Sequence, residues 1–427
     1  MKKIIYIILD GIADQALKEL ENKTPLEAAL TPQMDRLAQK GVTGMVYPMG
    51  KNIVPQSDTA VISILGYDHE RYYTGRGPLE AFAEGVPMSE GNLALRMTFA
   101  CVDPDGRTLK DRRVGRNLTV DEAGALAQEI NSKVSLSNAT FEFKHTVGRW
   151  GVLVIRGMHS KLSGWITNTD PAYERVGSFS RPREKALLAV TDAVPMAGHE
   201  GSLEAQEAAS LLNEFTRESQ KVLIESAINK KRTNANMLPA NIILSRDAGD
   251  CLPRFPDINS KYKMKFGCFV QMPVERGIAL LTGMQIIAMP SSTGHLDVDY
   301  QIWAKIALDA LQRYDGIYIH IKGPDEAGHD GDHVRKKEII ELIDKFFFSN
   351  LIPHLNLKDC IVAVTADHAT LCSRRAHSDD PVPILISGAK IKPDGVMSFS
   401  EKAALLGSCG EMMGMDIISL LVKYAQK

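Results

Sequence analysis

Six acidic and imidazole side chains fall just beyond runs of sequence that read as buried strands. Asp10 ends the apolar run from Lys3 to Leu9, Asp325 and His329 follow Ile317 to Ile321, and Asp367 and His368 follow Ile361 to Thr365. His377 lies in the next loop, ahead of Pro381-Val382-Pro383. If these runs lie parallel in one sheet, their carboxyl ends open on one edge, where open α/β folds bind their ligands. Three aspartates and three histidines exceed what one tetrahedral zinc takes. They suit two divalent cations such as manganese, zinc, cobalt or magnesium. Two ions about 4 Å apart can clamp a phosphoryl group between attacking and leaving oxygens, so the chemistry indicated is phosphoryl transfer. A single Asp-x-x-x-His pair reads equally well as a helix cap or a surface pair; its recurrence beside strand ends favours metal.

A nucleophile for that chemistry is offered by Pro55-Gln56-Ser57-Asp58-Thr59-Ala60-Val61, a polar turn ahead of an apolar helical run that ends near Gly66. A serine at a helix N-terminus has free N–H groups and a positive dipole end beside it, and both favour a phosphate on its oxygen. Coordination to a metal would further activate the hydroxyl. The plainer role is helix capping, for which serine is a preferred residue. Thr59 and Ser63 are local rivals for the nucleophile.

The elements that must position these groups follow a strand, turn, helix pattern. Lys3 to Leu9 leads into a helical spacing over Pro25 to Lys40. In the last third, strands are expected at Cys268–Met272, Ile317–Ile321, Ile361–Thr365 and Ile384–Ile386. Helices are expected at Ile278–Thr282, Asp297–Arg313 and Asp332–Asn350, the last capped by Asp332. Such alternation predicts an α/β fold, a mostly parallel sheet with helices on both faces. The middle differs: isolated or amphipathic strands at Ala94–Val102, Gly151–Ile155 and Asn241–Ser245, and a long helical stretch over Ala186–Asn229 broken near Pro195 and Gly198. The first strand unit matches the last third better than the middle. A discontinuous outer domain, 1–75 and 256–427, is therefore expected around an inserted smaller α/β or α+β domain, 76–255.

Composition limits the partners. The 427 residues carry 50 lysines and arginines against 52 aspartates and glutamates, a net charge of −2, which supplies no field for nucleic acid or an anionic membrane. The first apolar run is too short to span a bilayer, and a mean hydropathy of −0.12 is that of an ordinary soluble chain. Six scattered cysteines without a C-x-x-C pair predict free thiols and a cytoplasmic location.

Several stretches together resemble the cofactor-independent phosphoglycerate mutases of the archaeal type, within the alkaline phosphatase superfamily. They are Ile8-Leu9-Asp10-Gly11, Gln56-Ser57-Asp58-Thr59-Ala60, Tyr73-Thr74-Gly75-Arg76-Gly77-Pro78, Pro324 to Gly331 (PDEAGHDG), Thr365-Ala366-Asp367-His368 and His377 to Pro383 (HSDDPVP). The resemblance implies one metal held by Asp325, His329 and His377 and another by Asp10, Ser57, Asp367 and His368, with manganese foremost and magnesium, cobalt or zinc as alternatives. It implies Ser57 as the phosphoserine intermediate, no 2,3-bisphosphoglycerate requirement, and an inserted domain whose basic side chains hold the substrate. It also implies closure against water, which separates a mutase from a phosphatase.

A substrate carrying a carboxylate and a phosphate calls for arginine forks. The inserted region offers Arg112, Arg113, Arg116, Arg149, Arg181 and Arg246, of which Arg149 and Arg246 flank expected strands. Asp170 is placed to orient an arginine or a glycerate hydroxyl, or simply to form an Asp-Pro turn. Two positions depart from the family pattern: Arg276 stands where a lysine is usual, and Asp247 stands where Arg-Gly-Ala-Gly is usual. A metal-dependent phosphomonoester or phosphonate hydrolase is the alternative activity, and a non-catalytic metal- or phosphate-binding protein is a third reading.

Overall fold

A computed structural model describes residues 2–183 and 185–426. These form two compact units, one of Met1–Tyr72, Phe255–Gln271 and Ile278–Lys427, the other of Tyr73–Arg254 and Met272–Gly277. The chain thus crosses between units at 72/73 and 254/255, beside the expected 75/76 and 255/256. The short segment Met272–Gly277, expected in the outer unit, groups with the second one.

The first unit is built on an eight-stranded sheet. In spatial order its strands are Gln285–Ile286, Phe266–Phe269, Gly316–Ile321, Lys3–Leu9, Cys360–Thr365, Val382–Gly388, Gly41–Tyr47 and Gly410–Met413. Lys3–Leu9 is central and parallel to both neighbours, with Ile8 opposite His320 on one side and Thr365 on the other. Ile4 through Leu9 are all buried, which is why this strand reads as a continuous apolar run rather than an alternation. The strand after His377 was expected to join the parallel set; instead Val382–Gly388 runs antiparallel to Cys360–Thr365. The physical reason is the short connection. The chain leaves Thr365, makes a hairpin of Ala369–Leu371 against Ala376–Ser378, and re-enters the sheet without a crossover helix, so it must return in the opposite direction.

Helix limits follow local chemistry. The single helix expected over 25–40 is two, Pro25–Ala28 and Pro32–Gln39, because Pro32 opens the second and holds Thr31 away from helical dihedrals (φ −124°, ψ 54°). Asp332 does cap its helix, its carboxylate accepting from the Arg335 N–H at 2.9 Å. That helix runs His333–Leu342 and then widens into a π-helical turn over Ile343–Phe348.

The second unit is a five-stranded antiparallel sheet. Leu93–Val102 pairs with Trp150–Gly157, Leu109–Asp111 and Ile242–Gly249, and Ala139–His145 continues the sheet beyond Trp150–Gly157. Helices Val120–Lys133 and Leu203–Glu225 cover it through a core that includes Leu95, Phe99, Leu126, Ile130, Phe143, Leu153 and Phe215. The helix expected from Ala186 begins only at Leu203, where Ser202 caps it, and residues before it are irregular. Arg246, expected just past its strand, lies inside Ile242–Gly249.

Candidate functional site

The carboxyl edge of the first unit's sheet gathers all seven residues assigned to metal. Asp10 and Asp367 are fully buried at their strand ends, and His368 Nε2 stands 3.3 Å from Asp10 Oδ1 and 3.2 Å from Asp367 Oδ2. The same nitrogen is 3.2 Å from Ser57 Oγ. Ser57 is the first residue of the helix Ser57–Ile64; its capping residue Gln56 makes no side-chain cap bond among the described residues, and Asp58 Oδ1 accepts from the Thr59 N–H at 2.8 Å. The serine hydroxyl thus faces His368 in the cluster. A second group centres on Asp325, whose Oδ1 lies 3.5 Å from His329 Nε2 and 3.4 Å from His377 Nε2. His329 comes to Asp325 one turn along the helix Pro324–Asp330. The His368 and His377 rings stack at 3.7 Å, joining the two groups.

Gly11 makes this closeness possible. Its φ is +61°, and a Cβ there would lie 2.6 Å from Thr370 Oγ1 and 2.8 Å from Asp325 Cβ, so any side chain would push the first strand's end away from the helix that carries Asp325.

The donor set fits metal ions. His377 Nδ1 is 2.8 Å from the Pro55 carbonyl and His329 Nδ1 is 3.0 Å from the Arg375 carbonyl. A carbonyl only accepts, so each Nδ1 carries a proton, and in the neutral ring Nε2 is the nitrogen left to ligate. The two Nε2 atoms stand 3.1 Å apart, a spacing that two ligands of one cation can adopt. Asp10 Oδ1 is likewise buried with no hydrogen-bond partner. The ligand atoms of Asp325, His368 and His377, and those of Asp10, Asp367 and His368, each fall within 4.8 Å of one another. Burial would raise the Asp325 pKa, but the hydrogen bond from His377 and the positive charge that His377, His368 and His329 supply when protonated outweigh it and hold the carboxyl well below the ordinary range. Burial lowers His368, keeping its ring neutral and able to ligate.

The second unit assembles arginines. Arg112 forks onto the buried Asp170, its Nε 2.9 Å from each carboxylate oxygen and its Nη2 also bonded to Oδ2. Asp170 thus orients an arginine. The Arg112 and Arg246 guanidiniums lie 4.7 and 4.1 Å from the Tyr173 ring centre, and those of Arg96 and Arg149 lie 5.0 and 4.5 Å from Trp150. Burial, then the neighbouring charges of Arg112, Arg246 and Arg116, push Arg149 down to about 10. Arg96 Nε and Arg246 Nε face carboxylates, Glu80 Oε1 at 3.5 Å and Asp247 Oδ2 at 3.4 Å, whereas Arg149 Nε is buried with no hydrogen-bond partner among the described residues. Guanidiniums crowded in this way have the chemistry to receive an anion.

Asp247 fits this surrounding despite its charge. Its φ of +57° is the left-handed conformation that explains a usual glycine and that aspartate tolerates. Burial opposes its ionisation, yet Arg246, Ser180, Arg76 and Arg96 hold its carboxyl below the ordinary range, so it offsets arginine charge. Arg276 lies exposed on the helix Pro273–Leu281.

Sequence reasoning missed His320, Lys322, Thr370 and the Trp150 and Tyr173 rings. His320 is buried 3.6 Å from Asp367 Oδ2, and Lys322 reaches Asp10 Oδ2. A histidine inside the otherwise apolar run Ile317–Ile321, with a lysine two residues on, was a readable signal. Thr370 gave none.

Together the fold and this edge define an α/β protein with a carboxylate and imidazole centre suited to divalent metal. The family model for 2,3-bisphosphoglycerate-independent phosphoglycerate mutase matches residues 38–229. The protein of that name from Aeropyrum pernix is 41% identical over 418 residues, 96% of each chain, and one from Methanothermobacter thermautotrophicus is 37% identical over 434 residues, 100% of this chain and 98% of the relative. A cofactor-independent phosphoglycerate mutase structure from Thermoplasma acidophilum superposes with a TM-score of 0.63 at 29% identity, covering 100% of both chains. A Pyrococcus horikoshii protein structure gives 0.79 at 28%, covering 100% of this chain and 97% of that one. The chain belongs to the 2,3-bisphosphoglycerate-independent phosphoglycerate mutase family, in its archaeal-type branch.

Proposed function

We propose that the chain interconverts 3-phosphoglycerate and 2-phosphoglycerate, without added bisphosphate, through a phosphoserine at Ser57. The observation that carries this is Ser57 Oγ, 3.2 Å from His368 Nε2 at the head of the helix Ser57–Ile64. Asp325, His329 and His377 would hold one divalent ion, and Asp10, Ser57, Asp367 and His368 another, manganese being the metal we favour. When bound, such ions neutralise phosphoryl oxygens and acidify a serine hydroxyl.

The chain's own groups do the rest. Ser57 Oγ gives up its proton and bonds to phosphorus while the glycerate ester oxygen leaves and takes a proton. In the return step the neighbouring glycerate hydroxyl loses its proton as it attacks the phosphoserine, and Ser57 Oγ leaves and takes a proton, which restores the serine. The helix N-terminus beside Ser57 favours the phosphate on its oxygen. Arg112, Arg149 and Arg246 bind the anionic groups of the substrate, with Asp170 holding the Arg112 fork. Arg276 is placed among the substrate-binding residues on its charge alone. Free cysteines accord with a cytoplasmic enzyme.

The test is an enolase-coupled assay of the purified, manganese-loaded protein with inorganic phosphate followed in parallel. Isomer formation far exceeding phosphate release is expected. Steady phosphate release with no isomer would make the chain a phosphatase instead.

A further inference from the structure

Thr370 occupies the point where the two proposed ligand groups meet. It lies fully buried in the short strand Ala369–Leu371, directly across from His377 in the Ala376–Ser378 hairpin partner. Its Oγ1 is 2.6 Å from Asp325 Oδ1 and 3.0 Å from His368 Nδ1. Its carbonyl accepts from the buried Lys336 ammonium at 2.7 Å, and that ammonium also reaches Asp14 Oδ2 at 2.9 Å and the Ala13 carbonyl at 3.0 Å, just beyond Asp10.

A hydroxyl has one proton to give. An ionised carboxylate only accepts, so the Thr370 proton goes to Asp325, and Oγ1 must then accept from His368. His368 therefore carries its proton on Nδ1. Its Nε2 lone pair is left facing Ser57 Oγ, Asp10 Oδ1 and Asp367 Oδ2 at 3.2, 3.3 and 3.2 Å. The other two histidines have their Nδ1 protons fixed by backbone carbonyls; His368 alone of the three depends on a side chain.

We propose that Thr370 is the positioning residue of the centre: one hydroxyl, donating to Asp325 and accepting from His368 Nδ1, fixes the His368 tautomer and ties a ligand of each proposed metal to the other. The proposal rests on the two-metal reading above and adds to it the residue that sets ligand protonation and spacing. Removing such an outer partner costs metal affinity about 10–100-fold. Valine keeps the shape of threonine and loses both bonds, whereas serine keeps them.

The experiment uses the full-length protein in two measurements. The first is long-range 15N–1H correlation of histidine-labelled, metal-free protein at pH 8, with His368 assigned by its loss in His368→Gln. A proton on Nδ1 is expected; a proton on Nε2 overturns the proposal. The second is manganese affinity, by competition with a chelator, for wild type, Thr370→Val and Thr370→Ser. Valine should weaken binding at least about tenfold and serine should stay within about threefold of wild type. Valine binding as tightly as wild type, or serine as weakly as valine, overturns the proposal. Should the valine variant not fold, the wild-type tautomer and the serine variant still decide. A wild type that binds no manganese contradicts the two-metal reading instead, and the tautomer measurement still judges Thr370.

Discussion

At the scale of residues, chemistry is concentrated in side chains that cannot donate. Asp10, Asp367 and Asp325 present oxygens, and His329 and His377 present lone pairs, so Ser57 is the one hydroxyl of the proposed ligand set that meets this field of acceptors. Ser57→Ala should lower isomer formation by roughly a thousandfold or more while leaving the fold intact, as read in the coupled assay beside circular dichroism. Activity close to wild type would remove Ser57 from the mechanism. Asp170→Asn makes a different prediction. The Arg112 fork loses its ionised partner, so the 3-phosphoglycerate concentration for half-maximal rate should rise about tenfold or more, with a smaller effect on the maximal rate. An unchanged concentration dependence would place the anion elsewhere. Of the proposed ligands, Asp10, Asp367 and His368 were readable because each stands just past a strand and its type is rare in buried surroundings. Thr370 and the aromatic shelves under the arginines were not, because a threonine two residues past a histidine, or a tryptophan beside an arginine, has no distinguishing pattern until the chain folds.

Elements place those residues with ångström accuracy. The strand Lys3–Leu9 was legible from its apolar run, and so was its parallel relation to Gly316–Ile321 and Cys360–Thr365. The reversed direction of Val382–Gly388 was not, since it depends on a hairpin of three-residue strands too short to show a period. Gly41–Tyr47 was missed outright: Gly41, Gly44 and Thr43 dilute its apolar signal, and they are small because neighbouring backbones come close there, with the Ile386 carbonyl 2.3 Å from a Cβ at Gly41. The π-helical turn Ile343–Phe348 brings Asp344 to the start of a different helix, where its carboxylate accepts from Gln33 N at 3.1 Å and Met34 N at 2.8 Å. Burial is the main cause that raises this carboxyl to about 6, against the lowering effect of those N–H groups. Between its unfolded value near 3.8 and about 6, the folded chain holds the proton more tightly than the unfolded chain. The stability it lends is therefore full below that window and is lost as pH rises through it. Thermal melts of wild type and Asp344→Asn at pH 5 and pH 8 should show the wild type losing ground to the variant at the higher pH. A constant difference would contradict this assignment.

For the whole molecule, the near-zero net charge of −2 conceals a division of labour. The first unit collects carboxylates and imidazoles, which we propose hold cations, and the second collects guanidiniums, which we propose hold an anion. Without metal, Asp10, Asp325 and Asp367 crowd a buried edge, so manganese should raise the melting temperature of chelator-stripped protein by several degrees, while Asp325→Asn should blunt that gain. No shift in the wild type would mean that the edge binds no metal. The composition argued against polyanion binding, and the pattern of strand-end residues suggested phosphoryl chemistry. The arginine array could not be assembled from sequence, since Arg112, Arg149 and Arg246 come from separate parts of the chain and meet only around Tyr173 and Trp150.

The central claim is that the phosphoryl group passes through Ser57. Manganese-loaded protein mixed with 32P-labelled 3-phosphoglycerate, quenched in acid within the first turnovers and digested, should carry its label on the peptide that contains Ser57. Label on another residue, or isomer formed with no labelled protein at any quench time, would contradict it.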